Sequence, residues 1–128
     1  MYKYYIRLDA DNIGDKIEFS LLCNDWSGAQ SIHNSIQKCM KALRQLIDES
    51  ENYSLLMSGA DDLLIATVEN DIDKVLSFTN YIRDQFNINC NESLSAGVGA
   101  TLLEALINLK KAKTSGKNKV VSYSNFAE

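Results

Sequence analysis

Two adjacent carboxylates set inside an apolar run constrain this chain more than any other feature. In Met57-Ser58-Gly59-Ala60-Asp61-Asp62-Leu63-Leu64-Ile65 the small residues Ser58, Gly59 and Ala60 interrupt two strand-like stretches, Tyr53 to Met57 and Asp62 to Val68. The pattern reads as a hairpin with Ser58-Gly59-Ala60-Asp61 at its turn. A second acidic turn, Asp9-Ala10-Asp11, ends the aromatic and β-branched stretch Tyr4 to Leu8, which reads as the first strand. Side by side, the two turns make a cage of hard oxygen ligands suited to Mg²⁺ or Mn²⁺ and, through the metal, to a nucleoside triphosphate. Asp9 and Asp61 are the bridging pair of this two-metal cage, Asp62 is a further ligand, and the Ala10 carbonyl adds a donor. Asp11 is the outlying candidate: it is expected either to point away from Asp9 or to cap the helix that follows.

The rest of the chain is organised as one domain over residues 1–128. Proline is absent and the six glycines are scattered, so no linker, repeat or low-complexity segment divides it. A short helix is expected from Ile13 to about Cys23. A longer one runs from about Ser27 to Glu49, where Ile32, Ile36, Met40, Leu43 and Ile47 recur three or four apart. Ile72, Val75, Thr79, Ile82 and Phe86 mark a third helix behind Asn70-Asp71. Ser93 to Gly99 reads as a strand. Thr101 and Glu104 form a capping box before Leu102, Leu103, Leu106 and Leu109, with Gly116 as the stop, and Lys119 to Tyr123 is the last strand. This order predicts an α+β fold, with helices packed on a mainly antiparallel sheet.

Composition narrows the partners. A net charge of −4 opposes a nucleic-acid-coating role, because phosphate backbones are gripped by basic surfaces; a small anion held through metal is compatible with it. With neither an apolar run of membrane length nor a secretory signal, a cytoplasmic protein is expected, with no direct DNA or membrane binding. Cys23, Cys39 and Cys90 lack metal-site spacing and are expected to pack as small apolar residues. His33 stands without a second histidine, which argues for a surface or helix-flank position. Trp26, Tyr2, Tyr4 and Tyr5 are open to base stacking, dimer contact or core packing. No serine lies in a nucleophile elbow, so hydrolase chemistry of that kind has no support.

Asp9-Ala10-Asp11-Asn12-Ile13-Gly14, Ser58-Gly59-Ala60-Asp61-Asp62, Ser95-Ala96-Gly97-Val98-Gly99 and Ala112-Lys113-Thr114-Ser115-Gly116-Lys117-Asn118 resemble the successive motifs of GGDEF diguanylate cyclases over nearly the whole chain. The double aspartate is closer to the palm of the type III CRISPR large subunit, and a free-standing palm of this size most resembles the minimal CRISPR polymerases, mCpol. The resemblance implies a ferredoxin-like palm that joins nucleoside triphosphates into a cyclic dinucleotide or short cyclic oligonucleotide. It also implies a role in anti-phage signalling, a homodimer, and a separately encoded effector that responds to the product. It places Lys113 and Lys117 on the triphosphate, with Asn12, Ile13, Gly14, Ser58, Gly59 and Ala60 shaping the nucleotide site; Lys110 and Lys111 need only complement a helix dipole. Two departures bear on the base. Gly14 replaces the cyclases' lysine, and their guanine-reading asparagine falls near Ile17, so ATP is the expected substrate. The alternatives are a class III-type mononucleotide cyclase and an inactive nucleotide-binding or dimerisation palm, the latter opposed by intact Asp9, Asp61 and Asp62.

Overall fold

The computed structural model describes residues 1–122. Strand β1 (Tyr4–Ala10) leads into helices α1 (Ile13–Leu22) and α2 (Trp26–Asp48), then the hairpin β2 (Tyr53–Ser58) and β3 (Asp62–Thr67). Helix α3 (Ile72–Cys90), strand β4 (Leu94–Gly99), helix α4 (Leu102–Thr114) and strand β5 (Val120–Ser122) complete it. Tyr123, the expected end of the last strand, lies outside the described residues.

The five strands form one sheet in the order β2-β3-β1-β4-β5. β1 pairs antiparallel with β3 and β4, β2 pairs antiparallel with β3, and β5 alone is parallel to its neighbour β4. The first four strands thus have ferredoxin-like order, with β5 added at one edge through the crossover helix α4.

Alternation along β1 assigns the two faces. Ile6, Leu8 and Ala10 join Leu63, Ile65, Leu94, Ala96 and Val98 in a core closed by Ile36, Met40, Leu43 and Ile47 of α2 and Val75, Ile82 and Phe86 of α3. Arg7 and Asp9 belong to the opposite face, where α4 crosses β4. There Gly97 lets the backbones meet: a Cβ on it would stand 2.2 Å from both the Ala105 carbonyl oxygen and the Leu109 nitrogen. Asn108, also buried, donates from Nδ2 to the Val98 carbonyl at 2.6 Å and ties helix to strand.

Local chemistry sets the helix ends. Asp25 accepts from the Gly28 N–H at 2.9 Å, starting α2 one residue before the expected Ser27. Thr101 accepts from the Glu104 N–H at 3.1 Å, as the capping box requires. β1 runs to Ala10, beyond the expected stop at Leu8, because Asp9 is paired with Asp62 on one side and Ser95 on the other. Of the cysteines, Cys39 is buried and Cys90 half-buried, but Cys23 is exposed, since it follows the last turn of α1 on the surface.

Candidate active site

The two acidic turns are neighbours because β1 and β3 are. The Ala10 N–H donates to the Asp61 carbonyl at 2.9 Å, and Asp9 faces Asp62 across the ladder. An open cleft of about 360 Å³ lies over this junction, lined by Asp9, Ala10, Asn12, Ile13, Gly14, Asp15, Asp61, Lys113 and Lys117. Burial pushes the Asp9 carboxyl above its ordinary value, Lys113 opposes this, and the negative charges of Asp61 and Asp62 reinforce it, with Arg7 opposing weakly.

Asp11 has a different place from either expectation. It is 1% exposed and makes no cap on α1. Its carboxylate accepts from Ser93 Oγ at 2.7 Å, Ser95 Oγ at 2.8 Å, Lys113 Nζ at 2.7 Å and the Asn118 N–H at 3.0 Å. Burial would raise this carboxyl, but the hydrogen bonds from Lys113, Ser93, Ser95 and Asn118 outweigh it and hold Asp11 below the ordinary carboxylate value.

Lys113 also donates to the carbonyls of Asp9 at 3.1 Å and Ala10 at 3.0 Å, and stands 3.7 Å from Asp9 Oδ2. Its three ammonium donors are engaged on the first acidic turn, so it clamps the turn, and one of them bonds the Ala10 carbonyl expected as a metal donor, leaving that oxygen its second lone pair. Lys117 donates to Asn12 Oδ1 from a left-handed turn in which Gly116, Lys117 and Asn118 all have positive φ. Gly116, at φ 118°, is the residue that makes this turn inexpensive.

The hairpin turn supplies the other wall. Gln37 Nε2 donates to the Ala60 carbonyl at 2.8 Å, and Ser58 Oγ accepts from Arg44 at 3.1 Å. Gly59 and Ser58 stay outside the cleft; Ala60 and Asp61 border a smaller apolar cleft with Ile13, Gly14, Ile17, His33, Ile36 and Gln37. This continues past Ile17 and His33 into a groove between α1 and α2, lined also by Leu21, Trp26, Ala29, Gln30 and Asn34. His33 is therefore on the surface, as expected, but where two clefts meet. Asp15 and Gln37, which line the clefts, and Arg7, which pairs with Asp62, drew no reading from the sequence, and only the position of Arg7 two residues before Asp9 carried a local signal.

Among the described residues, no group of three His, Cys, Asp or Glu side chains is arranged to hold a metal ion. The cleft's own donor set of Asp9 and Asp61 nonetheless fits a hard divalent cation, which is commonly held by one or two carboxylates, substrate phosphates and water. No helix among the described residues is long and apolar enough to cross a membrane.

Paired acidic turns on a ferredoxin-like sheet, beside a lysine-bordered cleft, define a palm domain of the nucleotide cyclase and polymerase type. Solved structures agree in fold. The active GGEEF domain of a diguanylate cyclase from Vibrio cholerae is 20% identical, with 94% of this chain and 81% of that one covered at a TM-score of 0.67. The GGDEF domain of DgcB from Caulobacter crescentus in complex with c-di-GMP is 13% identical, with 93% and 76% covered at 0.68. The Csm1–Csm4 cassette in complex with AMPPNP is 18% identical at 0.72, with 91% of this chain covered but only 20% of that one. No curated protein matches the sequence. The chain belongs to the minimal CRISPR polymerase domain family, mCpol, whose family model matches residues 5–123.

Proposed function

We propose that this palm condenses nucleoside triphosphates, ATP foremost, into a cyclic dinucleotide or short cyclic oligonucleotide with release of pyrophosphate, as a signal in anti-phage defence. The observation that carries the reading is the cleft itself: Asp9 from β1, Asp61 from the adjoining hairpin turn that the Ala10 N–H bonds, and Lys117 at the border all open onto one space. Asp9 and Asp61 would hold Mg²⁺ or Mn²⁺. When bound, such an ion neutralises triphosphate charge and lowers the pKa of a ribose hydroxyl.

The chain's own residues do the rest. Lys117 supplies positive charge for the β- and γ-phosphates, and Lys113 keeps the Asp9 turn in position from below. The groove from Ile17 to Trp26 offers apolar walls for a base, with His33, Gln30 and Asn34 as its polar readers. The described residues present one acidic cleft of this kind, whereas cyclising two nucleotides requires each hydroxyl to meet the other's α-phosphate. A two-fold homodimer with clefts face to face meets that need. A separately encoded effector would receive the product.

Incubation of purified protein with each nucleoside triphosphate and Mg²⁺ or Mn²⁺, followed by mass spectrometry, tests the proposal. A cyclic product containing two or more adenylates is expected. A cyclic mononucleotide alone, or unaltered triphosphate with every base and either metal, would overturn it.

A further inference from the structure

We propose that the two acids of the hairpin turn divide their labour: Asp61 joins Asp9 in holding the divalent ion, while Asp62 is the fixed counter-ion of Arg7 and not a ligand. The inference rests on the metal-dependent reading above and refines it.

Three observations converge on Asp62. Arg7 Nη2 donates to Asp62 Oδ2 at 2.7 Å, and both side chains are 28% exposed, so water screens the pair only partly. The other carboxylate oxygen is turned back over the hairpin: a Cβ on Gly59 would stand 2.0 Å from Asp62 Oδ1. The cleft, finally, is lined by Asp9 and Asp61 and not by Asp62. Strand geometry explains the arrangement. Asp9 and Asp62 are opposite residues on one face, and Arg7 is on that face one pleat along, within diagonal reach of Asp62.

The electrostatics favour this assignment. A guanidinium this close to a divalent cation would repel it, and releasing Asp62 to the ion would strip Arg7 of the charge that screens that repulsion. With Arg7 and Asp62 cancelling one another, the cage presents two carboxylates, which match the charge of one divalent ion. Gly59 provides the seat that keeps Asp62 turned away.

Mn²⁺ titration of the full chain, followed by the electron paramagnetic resonance of free Mn²⁺, tests the division without reference to turnover. Asp61→Asn should weaken Mn²⁺ at least about tenfold. Asp62→Asn alone should weaken it only about threefold, because Arg7 is then unscreened. In Arg7→Gln/Asp62→Asn, which removes both charges together, affinity should return to within about twofold of the parent. If Asp62→Asn and the double variant both lose Mn²⁺ as fully as Asp61→Asn, Asp62 is a ligand and the division is overturned while the metal-site reading stands. Unchanged Mn²⁺ binding in Asp61→Asn would overturn the division and the proposed function together.

Discussion

At the residue scale the site holds two aspartates with opposite electrostatic fates, two positions apart. Asp9 is pushed up by burial and by its acidic neighbours, so its charge opposes folding once the pH has risen from the unfolded carboxylate value through the higher folded one. Asp9→Asn should therefore leave the melting temperature at pH 7 unchanged or higher while cutting turnover by about a thousandfold, through loss of several kcal/mol of metal-borne stabilisation. Scanning calorimetry beside a pyrophosphate-release assay checks both halves. Asp11 is held low, so its contribution to stability is present above the ordinary value of 3.8 and is lost as the pH falls through the lower folded value. Asp11→Asn should cost about 3 kcal/mol at pH 7, because Lys113 is left without its buried partner. In urea titrations the difference from the parent should shrink only below pH 4. That Asp9 and Asp61 would lie near one another was legible in the sequence, because a carboxylate at the close of an apolar strand-like run is a local pattern. The ion pair of Arg7 with Asp62 was not, since its partners are 55 residues apart and meet only through strand register.

At the element scale, α4 carries Lys113 to the acidic turn, and its height above the sheet is set by glycine. Gly97→Ala would drive a Cβ into the backbone at Ala105 and Leu109, which cannot rotate aside. The expected cost is about 3 kcal/mol, measurable by chemical denaturation, with activity falling even under conditions where the variant remains folded. Helix periodicity or capping residues made α2, α3 and α4 readable, whereas α1, whose Asn12 makes no side-chain cap, carried little such signal. Two apolar runs around a small-residue turn made the hairpin readable. The ends were less so: β1 gained Asp9 and Ala10 from cross-strand pairing, which no local pattern encodes. The groove between α1 and α2 was likewise hidden. Trp26, 68% exposed, is a groove wall, and composition alone offered burial as one alternative.

At the scale of the whole molecule, a single acidic cleft among the described residues makes assembly part of the proposed catalysis. Specific activity should rise with protein concentration and level off as the dimer saturates. For a tight dimer, excess Asp61→Asn protein mixed under exchanging conditions should suppress the parent's activity. Linear scaling of rate with enzyme and no suppression would count against the face-to-face arrangement. The order of strands has a final consequence. β1, bearing Asp9, is the middle strand of five and is bonded along both edges, whereas Asp61 stands on a turn closed by the Gly59 N–H to the Asp62 carbonyl at 2.9 Å. In heavy water the Ile6 and Leu8 amides should exchange only through global unfolding, while those of the hairpin tip exchange through local opening. Nucleotide with Mg²⁺ should then slow deuterium uptake at residues 59–61 far more than in β1, as expected of a site with one stiff jaw and one yielding jaw.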